Sequence, residues 1–263
     1  GGAVSALVAA DLGAGQFDGA NLVQNFEGLN PGRTWFRKYY DLYQNVDEAV
    51  DRFLEFERWW GGYYMMTEAE IRWIVENLFI GNKLGKNEAY LQPGRLIDLK
   101  AIRTPVIVFA SHGDNITPPA QALNWIVDTY TDEVEIGIRG QRILYMVHEQ
   151  VGHLGIFVSS SVARREHSQM ASTLKTIEAL SPGLYEMLIE DHEGEGSEKT
   201  FTVSFARRKM TDILKVTGPR RDEAAFAGVA RASEAIVDSY DATLRPLIQA
   251  SVQPQMAEFR RHT

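Results

Sequence analysis

The side chains best suited to chemistry in this sequence are Asp114 and His153, an acid and a base that each follow a run of apolar residues. Asp114 lies in the turn SHGDNITPP after VIVFA, and His153 lies in HEQVGHLG after RILYMV. An aspartate can orient an imidazole and stabilise its charged form, so that the imidazole can take a proton from a nucleophile. Acid before histidine is the chain order of α/β-hydrolase triads. The alternative is an ordinary Gly-Asp-Asn turn and a loop with a solvated histidine.

Two predicted strands would bring these residues together. Residues 106–110 form a short apolar run, typical of a strand buried on both faces of a parallel sheet. Residues 134–148 are predicted to be rich in β structure, with a turn at 139–141 and the best strand at 143–147. Since polar groups beyond the carboxyl ends of parallel strands converge on one crevice, we expect Asp114 and His153 to meet there.

The helix after Asp114 has clear boundary signals. Thr117 is its predicted N-cap and Pro118 its first residue. Its predicted core face is made of Leu123, Ile126, Val127 and Tyr130. The sequence therefore predicts half of a βαβ unit around the aspartate.

The rest of the chain is predicted to be mostly helical. A short helix is expected at 4–12, two more between 34 and 60, and a fourth from Thr67, which forms a capping-box pattern with Glu70. Beyond about residue 162 we expect helices that include 184–190, a strand in KTFTVSFA, and two helical segments from 221 to 261 separated near Pro246.

Aromatic residues are concentrated between residues 35 and 64, which hold 11 of the 27 in the chain. One interpretation is a helical layer that buries its rings, because aromatic side chains dominate protein cores. The other is an apolar acyl-binding surface, with Trp59, Trp60 and Tyr63 as candidate substrate contacts. His112, beside Asp114, is a further candidate to line the crevice, with a solvated loop histidine as its alternative.

Composition excludes several classes of function. The 263 residues contain no cysteine, which excludes disulfides, thiolate metal sites and a thiol nucleophile. The net charge of −8 argues against a general nucleic-acid binder. Without a long apolar run or a basic-flanked leader, we expect a soluble, cytoplasmic protein with no membrane span.

Neither a metal nor a cofactor is expected. His148 and His153 with Glu149 resemble a zinc motif, but zincins need histidines four apart on one helix, and these are five apart. The acidic loop around His192 lacks the ligand spacing of an EF-hand. One basic cluster is interpreted as a charged surface because it lacks interleaved aromatics: Arg207, Arg208, Lys209, Lys215, Arg220 and Arg221.

Two stretches, TPVIVFASHGDNITPPAQALNWI and HEQVGHLGIFVS, resemble the segment of poly(3-hydroxyalkanoate) synthase-like α/β hydrolases that carries the triad acid and histidine. The chain resembles a bacterial family of uncharacterised proteins, DUF3141, over nearly its whole length. The stretches that carry this resemblance are FDGANLVQNFEGLNP, KYYDLYQNVD and FLEFERWWGGYYMMTEAEIRWIVENLFIGNKL. The resemblance implies the C-terminal part of an α/β-hydrolase fold with a helical cap insertion at about 34–92. Residues 1–162 would be that partial core, and 163–263 a mostly helical C-terminal extension.

The resemblance also implies Asp114 as triad acid and His153 as base, with an acyl ester or thioester as substrate. No G-x-S-x-G-like elbow is present, and the chain opens on Gly-Gly rather than methionine, so we expect a catalytically incomplete fragment whose nucleophile and oxyanion hole lie upstream. The alternative is a non-catalytic hydrolase-fold protein that serves protein or polymer-granule association. Homo-oligomerisation is compatible with either hypothesis.

Overall fold

The computed structural model describes residues 2–153, 155–158, 163–191, 201–221 and 223–262. The chain forms two compact units, one made of residues 1–81 and 223–263 and the other of residues 82–222. The domain boundary expected near residue 162 does not coincide with this division and stays a prediction.

Helices dominate the first unit, and the second contains a four-stranded sheet. In chain order the helices and strands are α1 (Ala3–Leu12), β1 (Gln16–Phe17), α2 (Ala20–Gly28), a π-helical turn (Arg33–Arg37), α3 (Lys38–Gln44), α4 (Val46–Trp60), β2 (Met66–Thr67), α5 (Glu68–Ile74), a second π-helical turn (Val75–Phe79), β3 (Tyr90–Gln92), β4 (Arg95–Leu96), a 3-10 turn (Leu99–Ala101), β5 (Val106–Ser111), α6 (Pro119–Thr129), α7 (Glu133–Ile138), β6 (Arg142–His148), α8 (Gly155–Val158), a third π-helical turn (Ala163–His167), α9 (Ser168–Ser172), α10 (Leu174–Ala179), β7 (Gly183–Asp191), β8 (Phe201–Arg207), α11 (Met210–Thr217), α12 (Glu223–Ala242), α13 (Leu244–Ser251) and α14 (Pro254–His262).

The first unit is organised around α1, which packs against α5, α12 and α13. Leu7 of α1 is fully buried in a cluster with Val237 and Tyr240 of α12. The predicted helix at 4–12 is confirmed, and so is the capping box of Thr67 and Glu70 at the start of α5. Burial of this apolar cluster stabilises the unit.

The C-terminal helices differ from their prediction. Three helices replace the expected two, and the first break falls at Thr243 rather than at Pro246. Pro246 lies in the first turn of α13. Backbone N–H groups in a first turn have no partner within the helix, so the N–H that proline lacks costs little stability there. The proline therefore marks a helix start and not a helix end.

The sheet of the second unit has the strand order β5-β6-β7-β8. β5, β6 and β7 are parallel, and β8 is antiparallel to β7. Ile143 and Tyr145 of β6 are buried in the main core, against Leu123 and Ile126 of α6. The predicted strand at 106–110 and the core face of the following helix are confirmed, and the unit has a mixed α/β fold.

Two segments of the second unit have a different structure from the one predicted. Residues 134–138, expected to be β, belong to helix α7 (Glu133–Ile138), which the Asp132 carboxylate caps by accepting the Glu135 N–H. Residues 184–190, expected to be helical, belong to strand β7, which pairs with strands on both sides and buries Leu184, Tyr185 and Met187. His192 lies outside the described residues.

The aromatic segment of the first unit does not bury its rings as a layer. Tyr64 is 90% exposed, Tyr43 79%, Phe36 74% and Trp35 67%. The buried-layer interpretation is wrong for these residues. Some of the others contact one another, as in the stacked pair of Phe56 and Trp60.

Across the described parts of the chain, no helix combines the length and apolarity needed to cross a bilayer.

Candidate functional site

The candidate site lies at the carboxyl edge of the two parallel strands β5 and β6. These strands end side by side, with Ser111 paired to His148 in the ladder. Asp114 follows the end of β5 and His153 follows the end of β6, so the two loops emerge next to each other. This is the position in which open sheets place ligand-binding groups.

Asp114 is held by hydrogen bonds to both of its carboxylate oxygens. Oδ1 accepts the backbone N–H groups of Ile116, at 2.8 Å, and of Thr117, at 2.9 Å. Oδ2 accepts the Thr117 hydroxyl at 2.7 Å and lies 2.9 Å from His153 Nδ1. The residue is 1% exposed, so its orientation is fixed by protein groups.

Burial alone would raise the pKa of the Asp114 carboxyl, since a charge is costly away from water. The hydrogen bonds from the hydroxyl and backbone of Thr117, from His153 and from the backbone of Ile116 outweigh burial and hold that pKa below its usual value. Asp114 is therefore ionised at neutral pH, as an imidazole-orienting acid must be.

The contacts of Asp114 also determine the tautomer of His153. Its Nδ1 lies 2.9 Å from Asp114 Oδ2 and 3.1 Å from Thr117 Oγ1. A carboxylate only accepts, and the Thr117 hydroxyl uses its proton on Asp114, so Nδ1 must carry the hydrogen. In the neutral ring Nε2 is then the basic nitrogen, and the His153 side chain is 27% exposed. This arrangement can remove a proton and stabilise the resulting imidazolium.

The loops that carry the pair are locked together by close backbone contacts. The buried Ser111 hydroxyl donates to the Val151 carbonyl at 2.6 Å and accepts the Gly113 N–H at 3.1 Å. A Cβ atom on Gly113 would lie 2.2 Å from the Gln150 carbonyl oxygen, so only glycine fits at this crossing. The loop after β6 is thus positioned by the loop after β5.

His148 supports the same loop from within. Its Nδ1 accepts the backbone N–H groups of Gln150, at 3.0 Å, and Val151, at 3.1 Å. Its Nε2 lies 3.8 Å from the buried carboxylate of Glu166. Because Nδ1 is occupied by two amides, the structure gives His148 a role in positioning the loop that carries His153.

Sequence patterns did not identify the role of Thr117. It was expected to cap α6, but that helix begins at Pro119 with Pro118 at the N-cap. The Thr117 side chain turns to Asp114 instead. Thr117, Ser111 and His148 complete a site of which the sequence indicated only the aspartate and the histidine.

The remaining candidates have different surroundings. His112 is exposed in the same loop, and its backbone N–H donates to the His148 carbonyl oxygen. Trp59, Trp60 and Tyr63 belong to the first unit, where Trp59 is 55% and Tyr63 47% exposed and Trp60 donates to Glu27. A substrate-binding role for these four residues stays a prediction. Within the described ranges, no three metal-ligating side chains come together.

Comparison with known proteins finds relatives that are longer than this chain and no matching solved structure. Over 268 residues the chain is 46% identical to an uncharacterized protein in the ackA 5' region of Rhizobium meliloti, covering 99% of this chain and 36% of that protein. The chain thus spans about a third of the length of this relative. No solved structure matches it.

Two more distant relatives carry a functional name. Poly(3-hydroxyalkanoate) polymerase subunit PhaC of Haloferax mediterranei is 25% identical over 139 residues, which is 51% of this chain and 26% of that protein. The subunit of the same name from Haloarcula marismortui is 29% identical over 144 residues, or 52% and 27% of the two chains. These matches confirm the resemblance to polyhydroxyalkanoate synthases.

The family model described as "Protein of unknown function (DUF3141)" matches residues 1–263. The chain therefore belongs to the DUF3141 family, with a distant relationship to polyhydroxyalkanoate polymerase subunits.

Proposed function

We propose that this chain supplies the acid and the base of an α/β-hydrolase-type acyl-transfer site. Asp114 orients His153, and His153 acts as general base toward a nucleophile contributed by another part of the full-length protein. The observation that carries the proposal is the 2.9 Å contact between His153 Nδ1 and the buried, ionised Asp114 at the edge of two parallel strands. The substrate class is acyl esters or thioesters.

The chemistry follows from the protonation states at the pair. Nδ1–H is committed to Asp114, so His153 Nε2 takes the proton of the attacking hydroxyl or thiol. The imidazolium that forms is stabilised by the carboxylate, and it returns the proton to the leaving group. A general base of this kind contributes about 10²–10⁴-fold to the rate.

The relatives support the choice of acyl chemistry. Both named relatives are poly(3-hydroxyalkanoate) polymerase subunits, and each match covers about half of this chain. Polymerisation of a hydroxyacid joins acyl groups through ester bonds, which is a transfer that a nucleophile, base and acid can perform. The proposal assigns this chemistry to the whole protein, with a helical cap insertion on a hydrolase core, and leaves the acceptor to experiment.

The test uses the full-length protein and three single variants. His153→Ala and Asp114→Asn are each expected to lower turnover of short-chain and 3-hydroxyacyl esters or thioesters by about 10²–10⁴-fold. Glu149→Gln, an exposed residue on the same loop as His153, is the matched control and should leave turnover unchanged. Equal turnover in all four proteins would remove the enzymatic proposal.

A second candidate function is non-catalytic association with a partner protein or polymer granule. The observation that favours it is the exposed aromatic set of Trp35, Phe36, Tyr43 and Tyr64, because large exposed apolar side chains in one short segment mark interaction surfaces. A fluorophosphonate or iodoacetamide probe on the full-length protein separates the two. Specific labelling of one residue that depends on His153 supports catalysis, and its absence supports the association role.

A further inference from the structure

A groove of about 680 Å³ lies in the second unit at the sheet edge opposite to Asp114 and His153. It is formed by α7, by the turn that precedes β7 and by the turn between β8 and α11. The residues that line it are Glu133, Val134, Gly137, Ile138, Ser181, Pro182, Arg207, Arg208 and Lys209. The volume suits a small molecule.

The Arg207 side chain contacts an aromatic ring and a backbone carbonyl oxygen. Its guanidinium lies 6.0 Å from the centre of the Tyr185 ring and 3.4 Å from the Pro182 carbonyl oxygen. Among the residues that the structure describes, no carboxylate forms an ion pair with Arg207 or with its neighbour Lys209. Both side chains are exposed, so two cations at this edge are available to an anion.

The other charged residues of the groove are already occupied. Arg208 pairs with Glu186 at 2.7 Å, and this pair contributes little net charge. Glu133 accepts the backbone N–H of Met210, at 3.2 Å. Glu133 keeps its negative charge, so Arg207 and Lys209 together leave the groove with a small net positive charge on the turn after β8.

The wall formed by α7 presents two exposed aliphatic side chains beside the Glu133 carboxylate. Val134 is 58% exposed and Ile138 is 82% exposed. They lie one turn apart on the same face of α7, so their side chains form one continuous aliphatic strip. This aliphatic strip beside the Arg207 and Lys209 side chains matches a ligand with an aliphatic and an anionic end.

We propose that this groove binds a small organic anion with a short aliphatic chain. The carboxylate or phosphate contacts Arg207 and Lys209, and the chain packs against Val134 and Ile138. The guanidinium offers paired N–H donors that match either oxyanion. This site is separate from the acid-base pair, and it does not depend on the proposed acyl chemistry.

Calorimetric titration of this chain with hexanoate and with hexyl phosphate tests the proposal, with hexanol and acetate as ligands that each lack one of the two ends. At least one of the two anions should bind saturably, and more tightly than either control ligand. Arg207→Gln should raise its Kd about tenfold, and Ile138→Ser about threefold. Arg221→Gln removes a charge from the same basic cluster outside the groove and should change Kd less than about twofold.

Three results would overturn the proposal. The first is no saturable binding of either anion. The second is an equal loss in Arg207→Gln and Arg221→Gln, which would indicate general attraction of anions to a basic surface. The third is binding of acetate as tightly as hexanoate, which would remove the role of the aliphatic strip. Circular dichroism of each variant shows whether the fold is retained.

Discussion

Replacing Thr117 with valine removes the hydroxyl that donates to Asp114 and keeps the branched shape of the side chain. The hydroxyl lies 2.7 Å from Asp114 Oδ2, and Asp114 is 1% exposed. Without the hydroxyl, Oδ2 keeps only the contact with His153 among the hydrogen bonds described here. We expect Thr117→Val to lower the free energy of unfolding and to raise the pKa of Asp114.

The magnitude follows from the type of bond. A hydrogen bond to a charged group contributes about 1.5–3 kcal/mol to stability. Thr117 itself is exposed, so water can partly replace its hydroxyl, and the expected loss is about 1.5–2 kcal/mol at pH 7. Thr117→Ser keeps the hydroxyl and should lose less than about 0.5 kcal/mol.

The pH dependence gives a second, independent check. The folded-state pKa of Asp114 is lowered, so the stabilisation is present above the unfolded-state value of about 3.9 and is lost as pH falls through the folded-state value. Urea unfolding at pH 7 and at a series of pH values below 4 measures it. Equal stability of the valine and serine variants at pH 7, or a difference that does not shrink in acid, would show that the Thr117 hydroxyl does not stabilise ionised Asp114.

Three further changes probe the supports of the site and of the sheet. Gly113→Ala places a Cβ 2.2 Å from the Gln150 carbonyl oxygen and should lower stability by about 3 kcal/mol, measured by urea unfolding; a neutral effect would contradict the close crossing. His148→Ala should speed hydrogen exchange at the Gln150 amide, and His148→Asn, whose side-chain oxygen can replace Nδ1, should restore slow exchange. Equal exchange rates in both variants would show that the His148 side chain does not protect this amide. The hydrogen bond from Lys100 is the main cause that lowers the pKa of Glu135 to about 2. Glu135→Gln should therefore lower the free energy of unfolding by about 1–2 kcal/mol at pH 7, and urea unfolding should show this loss disappear between about pH 4.3 and pH 2. A loss that persists at pH 2 would argue against the ion pair.

The sequence could predict the surroundings of Asp114 because its signals were local and agreed with one another. A continuous apolar run, a Gly-Asp-Asn turn and paired prolines before an apolar stripe all indicate strand, turn and helix in that order. The expectation that His153 would reach Asp114 used the rule that parallel strands end at one edge and the chain order of acid before histidine, and the family resemblance implied the same pair. The contact at 2.9 Å agrees with it, and the catalytic role stays a proposal.

The role of Thr117 could not be predicted, because a threonine before Pro-Pro has the same signature whether its hydroxyl caps a helix or bonds to a nearby acid. Residues 134–138 alternate like a strand, yet they form a helix that is capped by Asp132. Residues 184–190 could form either structure, and pairing with β6 and β8 decides for strand. The outcome at β7 depends on strands that are distant in sequence, and the outcome at Thr117 depends on the rotamer of its side chain. The signal for α7 is local, because Asp132 and Glu135 have the spacing of a helix cap.

Exposure of the aromatic segment could not be predicted either. Trp35 and Tyr43 are residue types that usually lie in a protein core, yet they are 67% and 79% exposed. Composition shows that aromatic side chains favour burial, but it does not show which surface covers them.

Nitrogen-15 NMR of the imidazole rings tests whether Asp114 holds His153 with its proton on Nδ1. We expect the neutral His153 ring to show a protonated Nδ1 and a basic Nε2, and Asp114→Ala to abolish this fixed tautomer. His112, exposed in the same loop, is an internal control and should not change its tautomer in the variant. A proton on Nε2 in the native protein, or a His153 spectrum that Asp114→Ala leaves unchanged, would show that Asp114 does not fix the His153 tautomer.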